Sequence, residues 1–332
     1  MASSGSSSGT GGPVLVARLD PAVGPVQAMA VDSTYVYWGV NTRGFNGLIM
    51  AAPVAGGEVV TFASGIECLA PQGLASDGTN VYWTSLGGGG VLMKAPAAGG
   101  AATTLVSGEW PYQVAVAGNS VYWGDLGYPA DRPPPRVPPA STVEKTAVSG
   151  QETTTLATVP DADGGIIVWT LAADNRNVYW TTGWGWAGDK GPSTLMQVSA
   201  DGGVPALLAS SDAGFGASLA VDSTSVYWTE RIPGAGSSEL ALMRVPIGGG
   251  SPVTVASGLG SWAFAIVGET AYYAAGASAD VISAVPVDGG SATVLATVDG
   301  EVWNWLLGNG RSLFWMALKN RQEFGIYRLD LK

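Results

Sequence analysis

Apolar residues in this chain gather into short runs divided by Gly, Asp, Ser, Thr and Asn, and no stretch carries the 3.6-residue period of a helix. Within a run such as Val226, Tyr227, Trp228 the apolar positions are consecutive rather than alternating. That pattern predicts strands buried on both faces, not a sheet with one side in water.

The runs repeat. An aromatic pair marks each copy, as Tyr37/Trp38, Tyr82/Trp83, Tyr122/Trp123, Tyr179/Trp180 and Tyr227/Trp228, then in altered form as Tyr272/Tyr273 and Phe314/Trp315. The seven copies lie about 46 residues apart on average, the span of one four-stranded propeller blade. Each copy reads as a small apolar strand (27–31, 72–76), a turn rich in Asp, Ser, Thr or Asn (32–34, 77–80) and the aromatic strand. A loop of variable length follows, then a third strand (92–96, 242–246), a Gly-rich hairpin and an outer strand (103–107, 253–257). The hairpins PVAGGEV, PAAGGAA, SADGGVP, PIGGGSP and PVDGGSA are near copies, and their glycines supply the positive φ of a tight connection.

The last copy stops short. After the strand at 325–329 no outer strand follows, whereas PVLVARL at 13–19 matches the outer-strand pattern and precedes the first complete copy. The expected fold is therefore all-β: a seven-bladed β-propeller of four-stranded antiparallel blades over residues 13–332, closed by the N-terminal strand 13–19 completing the last blade. Such closure hides both sheet edges. Residues 1–12, MASSGSSSGTGG, have the composition of a flexible tether. They read either as a ragged or added end, or as the tether of a bacterial lipoprotein whose lipid-bearing Cys is not in this sequence.

Charge and composition then remove several functions. A net charge of −11 without a Lys/Arg cluster tells against nucleic acid as a partner. Apolar runs of strand length leave no segment of the roughly 20 residues a membrane-spanning helix needs. Cys68 is the sole cysteine and His is absent, which excludes an intrachain disulfide and tells against Ser/His triads and zinc hydrolysis. No cofactor is expected, and PDADGG at 160–165 holds only a fragment of a calcium loop, with Asp161 and Asp163 but no later acidic ligand.

VYWTS at 81–85, VYWTT at 178–182 and VYWTE at 226–230 resemble the YWTD repeat of lipoprotein-receptor propellers, and LMRVPIGGG is similar to bacterial secreted or lipoprotein propellers that overlap the NHL-like group. The closing Asp of the YWTD motif is never present, and receptor YWTD propellers have six blades. The resemblance implies an extracytoplasmic protein, secreted or lipid-anchored, and a monomer is expected.

Function falls on the loops. The stereotyped turns share one face of the expected ring, and nearly all length variation falls on the other, which is where a rigid scaffold carries binding groups. That face holds Trp110, Tyr112, Trp184, Trp186 and Trp262 as candidate stacking residues. Gln27, Gln72 and Gln113 begin three innermost strands at the channel mouth, with Trp169 and Asn304 at the same offset elsewhere. The expected function is a non-catalytic scaffold that binds a glycan, peptide or protein on the long-loop face. The alternative is a glycan-active hydrolase or lyase that uses carboxylates on that face, among Asp125, Asp131, Asp161, Asp163, Asp189 and Glu230.

Overall fold

The computed structural model describes residues 11–20, 23–42, 46–67, 71–127, 140–150, 152–159, 166–184, 192–232, 239–319 and 323–332. Among them there is no α-helix, only a 3-10 turn at Gly87–Gly89. No helix is long and apolar enough to cross a membrane.

The chain opens with β1 (Val14–Leu19). The first complete sheet runs β2 (Val26–Val31), β3 (Tyr35–Asn41), β4 (Asn46–Pro53), β5 (Val60–Glu67). The second is β6 (Leu74–Ser76), β7 (Asn80–Ser85), β8 (Val91–Pro96), β9 (Thr103–Ser107), and the third β10 (Pro111–Ala117), β11 (Ser120–Asp125), β12 (Thr142–Ala147), β13 (Thr153–Thr158). The fourth is β14 (Ile166–Ala173), β15 (Asn177–Trp184), β16 (Ser193–Ser199), β17 (Ala206–Ser211). Then come β18 (Phe215–Val221), β19 (Ser225–Arg231), β20 (Leu240–Pro246), β21 (Val253–Val267), β22 (Thr270–Ala275), β23 (Val281–Pro286) and β24 (Thr293–Thr297) in one sheet of seven strands. The last sheet has the order β1-β27-β26-β25, from β25 (Glu301–Gly308), β26 (Ser312–Lys319) and β27 (Glu323–Asp330).

The expectation of seven separate four-stranded blades is corrected by this topology. Five four-stranded blades form, and β18 to β24 are hydrogen-bonded into one seven-stranded sheet. The cause is β21, whose Leu259 pairs with Leu240 on β20 and with Ala275 on β22. The sequence between the two halves of β21, GLGSWA at 258–263, has no Pro and no Asp or Asn to end a strand. Elsewhere the links carry such breakers, for example Pro25, Pro111 and Asp212.

The N-terminal strand lies where its pattern places it. β1 pairs antiparallel with β27, from Val14 opposite Arg328 to Leu19 opposite Phe324. Val16 and Ala17 are buried by that pairing.

The repeated aromatic pair is the core between successive sheets. The first aromatic of each copy shares a cluster with the second of the next: Tyr37 with Trp83, Tyr82 with Trp123, Tyr122 with Trp180, and Tyr179 with Trp228. Tyr227 meets Tyr273, Tyr272 meets Trp315, and Phe314 with Trp38 closes the circle. Fully burying a Tyr demands a partner for its hydroxyl. Tyr37, Tyr82, Tyr179 and Tyr227 donate to Oδ2 of Asp32, Asp77, Asp174 and Asp222 at 3.1, 2.8, 2.9 and 2.7 Å. The other carboxylate oxygen of each Asp accepts the backbone N–H groups of its own turn, as Asp222 does from Thr224 and Ser225. Burial, then the bond to Asp222, pushes the Tyr227 phenol up to about 12. The Asp turn is thus a device that lets a phenol be buried, which explains its recurrence five residues ahead of the Tyr.

Candidate functional site

The first strands of successive sheets touch one another in a closed circle, β2 to β6, β10, β14, β18, β21, β25 and back to β2. Most of them slip register near their starts. The unpaired residues are Gln27 in β2, Tyr112 and Gln113 in β10, Trp169 in β14, 216–218 in β18, 260–263 in β21 and 303–305 in β25. A bulge bends the strand and re-aims its side chains. Here the bulges form a ring at the end of the inner strands that faces the long loops.

The aromatic strands hold that ring in place. Thr84, next after Trp83, donates its hydroxyl to the carbonyl of Tyr112 at 2.7 Å and accepts the Gly73 N–H at 2.9 Å. Thr229, next after Trp228, donates in the same way to the carbonyl of Trp262 at 3.4 Å. In these two VYWT copies the Thr therefore fixes the bulge of the following inner strand, whereas Thr181 of the third pairs with Thr170 Oγ1 of its own sheet at 2.9 Å. Gly216 completes the seat of Trp262: a Cβ there would lie 2.2 Å from Thr229 Oγ1 and 2.3 Å from Trp262 Cε3.

Two cavities meet at Trp262. One, of about 320 Å³, is bounded by Trp169, Asp212, Phe215, Gly216 and Arg231; the other, of about 250 Å³, by Glu301, Trp303 and Asn304, and both include Arg231 and Trp262. The Arg231 guanidinium sits 5.6 Å from the centre of the Trp262 ring, a cation–π distance. Asn304 is held at φ 53°, in the left-handed region that costs a non-glycine residue energy and clusters at functional sites. On the far side of Trp169, the Tyr112 ring lies 6.3 Å away, and Trp110 and Tyr112 pack with Leu126 and Ile167.

The sequence candidates divide accordingly. Tyr112, Trp262, Gln27 and Gln113 lie in the bulge ring, and Trp110 and Gln72 just precede the inner strands. Gln27 is exposed, and Gln72 and Gln113 are half-buried. Trp184 ends β15, while Trp186, Asp131, Asp161, Asp163 and Asp189 lie outside the described residues. Arg231, Trp169 and Trp303 complete the site. The signal for Trp303 is the doublet in EVWNW, two rings in a strand whose neighbours offer one pair to the core.

A carboxylate group stands at the same end of the third sheet. Asp125 and Glu144 are buried at 4% and 7% exposure, Glu144 accepting from Thr155 Oγ1 at 2.9 Å. Loss of water, then the hydrogen bond to Asp125, then the charges of Asp125 and Glu144, push Glu109 up to about 7. Glu109, itself exposed, therefore keeps its proton to higher pH than a free carboxyl does. Burial also raises Glu144 and Glu230. Because the folded value of Glu109 lies above its ordinary 4.5, the fold holds this proton more tightly than the unfolded chain. Its contribution is full below about 4.5 and is lost as pH rises through about 7. The melting temperature of wild type is expected to fall across that window more steeply than that of Glu109→Gln. Parallel curves for the two proteins would show that the pair is not formed. No group of three or more His, Cys, Asp or Glu among the described residues is arranged to hold a metal ion.

By sequence the chain matches no protein-family model and no curated protein. Its structure is similar to the β-propeller domain of Cps50 (Swd1) from Myceliophteria thermophila, with TM-score 0.61 and 9% identity over 96% of this chain and 100% of that one. The chain folds as a β-propeller. The propeller is likewise similar to an oligogalacturonate lyase in complex with manganese, with TM-score 0.63 and 9% identity over 90% of this chain and 86% of that one. A third likeness is to YCF48 bound to D1 peptide, with TM-score 0.59 and 10% identity over 96% of this chain and 94% of that one. At these identities the likeness speaks for the fold and not for a YWTD- or NHL-like family, nor for a ligand.

Proposed function

We propose that this propeller is a non-catalytic binding scaffold that seats a peptide or protein segment on its bulge ring, with Arg231 and Trp262 at the centre. The Arg231–Trp262 pair carries the reading: it stands between two cavities, and its Trp262 is seated by Gly216 and Thr229. Arg and Trp dominate binding hot spots because each combines apolar area with polar reach. Asp212 and Glu301 border the two cavities and suit a segment of mixed charge. YCF48, a structure of similar fold, is described with a bound peptide.

Gln27, Gln72, Gln113, Trp110 and Tyr112 extend the same surface in this proposal, and Trp184 and Trp186 are further candidates within it. The extracytoplasmic setting and the monomeric state belong to the proposal too. On a combined peptide and glycan array, wild type is expected to select peptides. Arg231→Ala and Trp262→Ala should each weaken retention by about 30-fold, the cost of a hot spot, with the melting temperature of Arg231→Ala unchanged. Selection of glycans, or full retention by Arg231→Ala, would refute this assignment.

The Glu109–Asp125 pair favours a second reading, a carboxylate-based hydrolase or lyase acting on glycans. A carboxyl whose proton is held toward neutral pH beside a second carboxyl is the setting in which one can serve as an acid. Chain-length analysis of an oligosaccharide mixture after incubation tests it: cleavage by wild type that is absent in Glu109→Gln supports the enzyme, and an unchanged mixture removes it.

A further inference from the structure

A third cavity, of about 420 Å³, opens on the long-loop face at the seam between the ring-closing sheet and β2–β5. Its floor is Trp38, Val40 and Met316, all buried, and its walls include Met50, Val59 and Phe324. Gly24 brings the connecting chain down over the end of β3: a Cβ at this residue, φ 109°, would lie 1.8 Å from the carbonyl oxygen of Asn41. Gly24 thus sets backbone against backbone at the edge of the cavity, and Val23, Pro25 and Val26 beside it also border the space. Trp303 stands at the rim with 38% of its surface exposed, its ring 5.6 Å from that of Phe324.

The mouth is polar in one place. Arg18 and Asp20, on the same side of the chain, both border the cavity. Asp20 already has an interaction of its own, whereas the exposed side chain of Arg18 has no hydrogen bond or ion pair to a described residue. An apolar chamber within the ordinary volume range of ligand sites, about 300–1,000 Å³, thus has one uncommitted cation at its entrance.

We infer that this seam cavity binds an aliphatic monocarboxylate, with the hydrocarbon chain against Trp38, Val40, Met50 and Met316 and the carboxylate on Arg18. The chain would displace water from an apolar surface, and the guanidinium offers the planar fork that a carboxylate matches. This goes beyond the peptide reading of the bulge ring and depends on different residues, touching it only at Trp303.

Decanoate is the probe, titrated calorimetrically into the full-length protein with tryptophan fluorescence recorded in parallel. Saturable binding of decanoate is expected, with affinity falling roughly fourfold for each methylene removed, so that octanoate binds about 15-fold more weakly. Decan-1-ol, which has the tail without the charge, should bind about tenfold or more weakly than decanoate, and Arg18→Gln should abolish that preference. Val59→Trp fills the cavity from a partly exposed wall and should abolish binding, with its melting temperature confirming that it folds. Arg231→Ala should bind decanoate as wild type does, which separates this site from the bulge ring. Absence of saturable binding, equal affinity for octanoate and decanoate, or undiminished binding by folded Val59→Trp would overturn the inference.

Discussion

A chain that begins after Leu19 is expected to lose on the order of 5 kcal/mol of stability and to aggregate on heating, while one that begins at Gly12 melts as wild type does. The deleted strand contributes a ladder along β27 from Val14 to Leu19 and the burial of Val16 and Ala17. Each backbone bond contributes about 1 kcal/mol net, and burial of a valine side chain about 1.5–3 kcal/mol. Against a total of about 5–15 kcal/mol for a folded domain, that loss is a large share. It also uncovers the edge of β27, whose unpaired N–H and C=O groups are a template for pairing between molecules. Thermal denaturation followed by light scattering checks it, and an unchanged midpoint without aggregation would show that β1 is dispensable.

Trp228→Ala is expected to cost about 3–5 kcal/mol in urea denaturation, the range for removing a large aromatic from a packed core. Trp228 is 1% exposed and shares its cluster with Tyr179, Leu195, Val226 and Val245, on both sides of a sheet boundary. Its indole N–H donates to Glu230 at 3.1 Å. The substitution thus opens a cavity and takes a donor from a carboxylate already raised by burial. Trp303→Ala is the control. With 38% of its surface exposed, it should cost about 1 kcal/mol or less. Similar losses at the two positions would mean that the aromatic anchors are not the inter-sheet core.

What the sequence makes legible here is whatever repeats. The aromatic pairs disclose the core because each copy packs against the next, so a local motif carries tertiary information. PVLVARL likewise discloses its place because it matches a strand missing at the other end. The sheet count fails at a single residue. Leu259 bonds to strands on both sides, and the one mark of this in GLGSWA is a lack of Pro, Asp and Asn, a negative sign easily passed over beside its two glycines. The site is legible only in part. Gln27, Gln113 and Trp262 stand out by position, but the seat of Trp262 depends on Gly216 and Thr229, distant in sequence and ordinary in type. Glu109 escapes notice for the same reason: its weakened acidity arises from loss of water and then from Asp125 and Glu144, all of which act on it only in the fold. Arg18 is hidden more deeply, because a cation inside an outer-strand pattern looks like a solvated side chain until the seam beside it is seen to be hollow.

The pairing of Val14 with Arg328 also sets an order in time. As the ribosome delivers the chain, the sheets from β2 to β17 receive all their strands from consecutive stretches and have low-contact-order partners at hand. The sheet that contains β1 does not. Its first strand is made before β2 to β26 and its neighbour β27 after them, so β1 remains unpaired while every other sheet is made and the circle of inner strands stays open. Termination even a few codons before Arg328 would leave nascent molecules with an unpaired strand at one end and an uncovered seam at the other, the condition in which such intermediates associate with one another.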